Sequence, residues 1–259
     1  QEGDIQTAGE GTVDIFAEQD ITQFDGNGIT TADANVRCEA LRYLAIGHID
    51  AGDATVSLVA DDITDSGTDD IDVTATNLRI RTTHPDNTGG VGEADNHLET
   101  TVDTLSADAG TGGLFVTETN DLVVDTVPAS TVQRVASDAT SSDLSDTADL
   151  SDIVSDGHLV LVTVNGALTV KDGTAPGDGN GILATDNILL QTGEEGEAEE
   201  DDADDITLKA DVRSAAGSIT ILSADDIEQS IVTDVVTAAE GETIHVQAGG
   251  GILMNDGAV

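Results

Sequence analysis

The 259 residues carry 52 acidic and 8 basic side chains, a formal charge of −44. So large an acidic excess excludes a nucleic-acid partner, because phosphate binding needs a basic face. Aromatic residues make up 2% and Trp is absent, within a hydrophobic fraction of 38%, so the core has to be assembled from Val, Ile, Leu and Ala in thin, similar layers rather than around bulky rings.

Three Pro and 28 Gly punctuate the chain, and no stretch of ten or more residues follows the 3.6 period of an amphipathic helix. What recurs is apolar, any, apolar, any, a small residue, and then often Asp-Ile. In chain order the copies are VDIFAEQDI (Val13 to Ile21), VRCEALRYL (Val36 to Leu44, a weaker copy), VSLVADDI (Val56 to Ile63) and IDVTATNL (Ile71 to Leu78). They continue as LFVTETNDL (Leu114 to Leu122), LTVKDG (Leu168 to Gly173, also weak), ITLKADV (Ile206 to Val212), ITILSADDI (Ile219 to Ile227) and IHVQAGGGI (Ile244 to Ile252). Alternation with period 2 sends every second side chain to one face. The inward sets are Val56, Leu58 and Ala60 in one copy and Ile219, Ile221 and Ser223 in another, the small third residue marking a corner where the chain bends. Cys38 stands where other copies hold Leu or Ile and reads as a small core residue; as the single cysteine it forms no internal disulfide.

Adjacent copies start mostly ~12 to ~25 residues apart, which is the spacing of stacked coils. The pattern predicts an all-β chain, a parallel β-helix or β-solenoid with inserted acidic loops. A sandwich also alternates but has no need of the same motif in every strand. Residues 1–259 read as a single module, a fragment or repeat of a longer chain. Two stretches break the rhythm. The Ser/Asp/Thr-rich residues 137–157 predict an excursion with a short helical turn, and the acidic run at 194–205 predicts a protruding, solvated loop. No capping helix is visible at either end, which predicts continuation end to end, by tandem repeats or by stacking of copies. There is no run apolar and long enough to span a membrane as a helix.

The chemistry-bearing residues are sparse. His48, His84, His97, His158 and His245 are scattered and sit in no metal-binding or nucleophile motif; His245, between Ile244 and Val246, is predicted to face outward. Carboxylates are plentiful, but few basic or aromatic residues are available to grip a sugar, so the reading is a non-enzymatic one, ahead of a β-helical polysaccharide-active enzyme. Calcium is the cofactor the composition allows, since hard cations take carboxylate and carbonyl oxygens. The turn DGNGI occurs twice, at Asp25 to Ile29 and Asp178 to Ile182, and makes Asp25, Asn27, Asp178 and Asn180 the candidate ligands; SGTDD (Ser66 to Asp70) is a third such turn. None matches the EF-hand pattern, and the alternative reading of each is a tight turn built on residues that tolerate positive φ. Loops 84–97 and 137–157 are the places where a calcium ion or a glycan could be held.

Three segments carry a resemblance to a known kind of repeat: GVGEADNHLETTVDTLSADAGTGGLFVTETNDLVV (Gly90 to Val124), HLVLVTVNGALTVKDGTAPGDGNGI (His158 to Ile182) and DDITLKADVRSAAGSITILSADDI (Asp204 to Ile227). They resemble modules of giant secreted bacterial proteins of the filamentous-haemagglutinin-like adhesin type. The resemblance implies a right-handed β-helical rod on the cell surface or outside the cell, with adhesive, cell-contact or filament-forming roles and with cell-surface or matrix glycans as partners. The chain departs from such repeats in carrying Asp and Glu where they carry Gly or Ala, a bias that fits a saline or calcium-rich medium.

Overall fold

The computed structural model describes residues 3–24, 26–67, 71–174, 177–193 and 204–255. Among these the chain is all-β: 26 strands form one sheet in which every pairing is parallel, and two more form a separate antiparallel hairpin. The sheet winds as a parallel β-helix. The first three coils run through Ile5–Gln6, Val13–Ala17 and Ile21–Thr22, then Ile29–Thr30, Val36–Ala40 and Tyr43–Ile46, then Ile49–Asp50, Thr55–Ala60 and Asp62–Asp65. In the next two, neighbouring strands fuse across a corner, giving Val73–Thr82 with Gly90–Val91 and Leu98–Ala109 with Gly113–Glu118. The three-strand pattern then returns: Leu122–Val124, Ile153–Ser155 and Leu159–Thr163; Leu168–Val170, Asn180–Ala184 and Ile188–Thr192; Ile206–Leu208, Asp211–Ser214 and Ile219–Ser223. Ile227–Gln229, Val235–Thr237 and Ile244–Ala248 form the last complete coil, and Ile252–Met254 opens another.

Because each coil repeats the same alternation, like residues stack into columns. One runs Val13, Val36, Val56, Leu78, Leu105, Val124, Val170, Leu208. A second runs Ile21, Leu44, Ile63, Val91, Leu114, Leu159, Ile188, Ile219, Ile244. Cys38 lies in a third column, between Ile15 and Leu58, and is buried; burial pushes its thiol pKa up to about 12. The corner residues stack too, as Ala109, Ser155, Ala184 and Ser214. The columns bury aliphatic area without rings: Phe16, Phe24 and Tyr43 are exposed. Tight corners also need glycine. Gly92 has φ +64, and a Cβ there would lie 2.4 Å from the Phe115 carbonyl oxygen.

The Asp-Ile motif has a role that alternation alone does not reveal. At several corners the N–H just ahead of an inward aliphatic residue needs an acceptor from a side chain. The side chain at the same position one coil earlier supplies it. Asp4 accepts from Gly28 N (3.0 Å), Asp62 from Gly90 N (2.8 Å), Asp121 from Ala167 N (2.8 Å) and Asp205 from Asp226 N (2.9 Å). Asn35 does the same for Thr55 N (3.1 Å) and Asn187 for Ser218 N (2.8 Å). Part of the acidity is therefore inter-coil stapling. Replacing Asp62 by Ala leaves the buried Gly90 N–H without its acceptor and is expected to cost about 1–3 kcal/mol, while Asp62→Asn, which copies Asn35 and Asn187, is expected to cost far less; paired urea melts check this, and equal losses in the two variants would refute it.

The excursion predicted at 137–157 is present with different limits. It leaves after Leu122–Val124 and returns at Ile153–Ser155, and its centre is a β-hairpin, Thr131–Val135 with Ser141–Ser145, instead of a helical turn. Residues 153–157 belong to the stack because Ile153 and Ser155 fill inward positions beside Ala107 and Ala109. The hairpin folds back onto the earlier coils and covers an outward-facing column, Asp14, Arg37, Ser57, Arg79 and Ser106. Asp146 ties it down, pairing with Arg37 Nε at 3.1 Å and with Arg79, whose Nη2 donates to Ala148 O at 3.1 Å. Arg134 pairs with Asp14, and Asn35 Nδ2 donates to Thr131 O at 3.0 Å. Of the acidic run at 194–205, residues 194–203 lie outside the described residues. Asp204 is buried and enters the next coil, its Oδ1 accepting from Gly166 N at 2.5 Å.

Candidate cation site

The turns singled out as cation ligands turn out to be local. Asp25 lies outside the described residues. Asn27 donates from Nδ2 to Phe24 O at 3.5 Å, and Asp178 Oδ1 accepts from Asn180 N at 3.1 Å. Gly26, Gly177 and Gly179 take φ values of +79, +67 and +89. These are the contacts of tight turns, and Asn27 lies on a different coil from Asp178 and Asn180. In the third turn, residues 68–70 lie outside the described residues.

The histidines likewise remain apart. His97 Nδ1 is 2.8 Å from Thr117 Oγ1, and His48 Nδ1 is 2.8 Å from Ile71 O. His158 and His245 are exposed. Loop 84–97 closes on itself, with Asn87 N donating to His84 O and Glu93 bridged to Asn96.

The acidic group that the coil does gather is Asp65, Asp72 and Glu99, from three successive strand entries and exits at one corner. Asp65 closes the strand Asp62–Asp65, Asp72 precedes the inward Val73, and Glu99 follows Leu98 one coil on. One oxygen from each lies within 4.8 Å of the other two. Asp65 is 9% exposed and Asp72 1%. Asp72 is also a staple, its Oδ2 accepting from Glu99 N at 2.9 Å while its own N–H donates to Glu99 O. Asp65 Oδ1 accepts from Gly67 N at 2.6 Å, and its buried Oδ2 has no hydrogen-bond partner. Burial first, and then the Asp65 carboxyl, push the Asp72 pKa up to about 10. At neutral pH Asp72 therefore keeps its proton, which spares the corner a second buried negative charge.

The chemistry of such a corner is that of a hard-cation donor set: three carboxylates, with a proton to release when a cation enters. Alternation did not point to it, because Asp65, Asp72 and Glu99 are separated along the chain and converge only through the coil spacing. The retained proton also has a sign in pH. Asp72 binds a proton when folded that it has lost when unfolded, from about pH 4 to about pH 10, so its contribution to stability falls as pH rises through that window. Asp72→Asn, which keeps a neutral group there, is expected to raise Tm at pH 8 by about 3 °C or more, with no gain near pH 4. Calcium is expected to raise the Tm of the wild-type chain at pH 8 and to leave that of Asp72→Asn unmoved; calorimetry in matched ionic strength reads both.

The fold places the chain in a class, the parallel β-helices. Comparison with protein-family models, with curated proteins and with solved structures returns no match. No helix among the described residues is long and apolar enough to cross a membrane.

Proposed function

We propose that this chain is a structural or adhesive rod module of an extracellular or cell-surface protein, of the filamentous-haemagglutinin-like adhesin type that its repeats resemble. What carries the reading is the continuity of the columns: aliphatic residues stack through coil after coil, while many of the acidic side chains lie outward or serve as staples. Apart from the hairpin, which reaches back to the earlier coils, each coil rests on its neighbours, the construction of a quasi-one-dimensional scaffold. The acidic exterior keeps an edge-rich β-protein soluble and suits a saline medium, where salt shortens the reach of self-repulsion from ~10 Å at 0.1 M to ~3 Å at 1 M.

Small-angle scattering of the dilute chain in 1 M salt tests the rod. About nine coils at ~4.8 Å each give a stack of roughly 43 Å with a constant cross-section; a profile without that cross-section would sink the reading. The adhesive half is tested by binding of labelled chain to glycan-coated surfaces. A second reading, a calcium-binding surface module, is favoured by the Asp65, Asp72 and Glu99 corner, and the calcium melt described above decides it. No enzymatic role is proposed.

A further inference from the structure

On the face formed by Gly113–Glu118, Leu159–Thr163, Ile188–Thr192 and Ile219–Ser223, the outward residues carry no charge. Phe115, Val160, Leu189 and Thr220 stack in one outward column, and Thr117, Val162, Gln191 and Leu222 in the next. All are half-buried. Charged residues make up 23% of the chain, and the outward column across the corner, from Phe16 to Val236, carries Glu39, Arg81, Asp108 and Arg213. A groove of about 630 Å3 runs over the uncharged face, with Phe115, Val160 and Leu189 in its floor and His158, Asn187 and Ser218 along its rim, one to a coil. Among the described residues Glu242 is the one carboxylate that lines it. At one end His97, on loop 92–97, rests 5.9 Å from the Phe115 ring, centre to centre.

We infer that this groove binds an uncharged polysaccharide laid along the rod, its sugar rings on the apolar column and its hydroxyls on the polar rim. The inference rests on the adhesive half of the proposed function and adds to it a site and a ligand class. Apolar floor and polar rim run side by side, and both repeat at the coil spacing of ~4.8 Å. An extended polymer therefore meets the same pair of contacts on coil after coil. The rim has hydrogen bonds to give. His158 Nδ1 accepts from Asn187 N (3.3 Å), which leaves the ring proton on Nε2 as a donor. Asn187 Oδ1 accepts from Ser218 N (2.8 Å), and neither its NH2 group nor the Gln191 amide has a partner among the described residues.

Charge and area select this occupant. A chain at −44 repels a polyanion, and the groove holds no Lys or Arg to offset that repulsion. A cationic ligand finds carboxylates over the rest of the surface but only Glu242 here. A second copy or another protein needs more room. Four coils at ~4.8 Å and a strand of five residues at ~3.3 Å each give roughly 300 Å2, against the ~800 Å2 per partner of a stable interface. The groove volume, in contrast, lies within the ~300–1,000 Å3 of small-ligand sites. Sugar rings match its mixed lining, with C–H faces for Val160 and Leu189 and hydroxyls for His158, Asn187 and Gln191.

Native electrophoresis of the 259-residue chain is the test, through gels that contain dextran, galactomannan or xyloglucan and through gels that contain polygalacturonate or heparin. Retardation by at least one of the uncharged polymers is expected. Val160→Asp should weaken that binding by about tenfold or more, whereas Thr169→Asp, the same charge placed outward on another face, should not. A second measurement stands apart from any folding defect in Val160→Asp. A polarity-sensitive dye on Gln191→Cys should respond to the retarding polymer and one on Thr169→Cys should not; the buried Cys38 stays unlabelled. Retardation that ignores Val160→Asp and leaves the Gln191→Cys dye silent puts the sugar elsewhere and overturns the site, while the adhesive reading stands. Retardation by the polyanions alone overturns the ligand class. Self-association that Val160→Asp abolishes gives the face to a second copy and overturns the polysaccharide. A chain that no polymer retards overturns the inference outright. If glycan-coated surfaces also fail to hold that chain, the adhesive half fails with it, and the scattering profile still reports separately on the rod.

Discussion

Asp146→Ala is expected to destabilise the chain by about 3–5 kcal/mol and to release the hairpin from the side of the stack. The reason is the burial of the cations it serves. The side chains of Arg37 and Arg79 are 9% and 6% exposed, and Asp146 faces both. Arg37 keeps Asp14 and Glu39 as partners when Asp146 is lost, but Arg79 keeps only the Ala148 carbonyl among its hydrogen bonds, so a buried charge is left uncompensated. Removing one partner of a buried pair costs far more than the pair itself contributes. Burial opposes ionisation of Asp146, but Arg79 and Arg37 outweigh it and hold its pKa below the ordinary carboxylate value. A depressed pKa stabilises above the unfolded value and loses that contribution as pH falls through the folded one, so the clamp fails in acid. Urea melts read the loss, and limited proteolysis at residues 136–140 reads the release. A loss under about 1 kcal/mol, with the hairpin still protected, would mean that Arg79 finds water or another acceptor.

The second large effect is expected at Glu118. It lies in a column with Thr100 and Thr163, where the coils before it place Ile29, Ile49 and Val73. A carboxylate is tolerated in that inward position because four donors surround it. Oε2 accepts from Thr100 Oγ1 (2.6 Å) and Val102 N (2.9 Å), and Oε1 from Thr119 N (3.0 Å) and Asn120 N (3.1 Å). Glu118→Ala strips the Val102 and Asn120 N–H groups of this acceptor, while Thr119 N keeps Thr100 O, and is expected to cost about 2 kcal/mol or more, at about 1–3 kcal/mol for each unsatisfied donor. Glu118→Gln turns an amide NH2 toward donors and is expected to cost about 1–3 kcal/mol. Burial outweighs the four donors and pushes the Glu118 pKa up to about 7, from 4.5. The folded state therefore holds more protons than the unfolded between about pH 4.5 and 7, and stability falls as pH rises through that window, then levels. Thermal melts at fixed ionic strength should show a shallower decline from pH 5 to 8 in Glu118→Gln than in the wild type; an unchanged slope would place the titration elsewhere.

These two sites and the Asp65, Asp72 and Glu99 corner share a property: none has a local signature. Alternation is a local property, and it was sufficient for the coil. Val56, Leu58 and Ala60, and likewise Ile219, Ile221 and Ser223, are inward and buried as their spacing requires, because a period of 2 sorts faces wherever the backbone is extended. The small third residue at the corner, Cys38 as a core residue and the absence of rings from the core followed from the same pattern. The Asp before each Ile was visible as a motif, but its purpose was not, since the N–H that it serves belongs to the next coil.

The sequence by itself determined the β-helix, its columns and its acidic exterior, because a repeated local pattern admits one way of stacking that buries every copy alike. Only the tertiary structure decided where the irregular residues go. The excursion became a hairpin clamped by Arg37 and Arg79 because the coils bring those two arginines, far apart in the chain, to one outward column. Asp65, Asp72 and Glu99 met at one corner for the same reason: the coil spacing, set by the sum of strands and turns, fixes which carboxylates become neighbours, and burial then decides which of them keeps its proton.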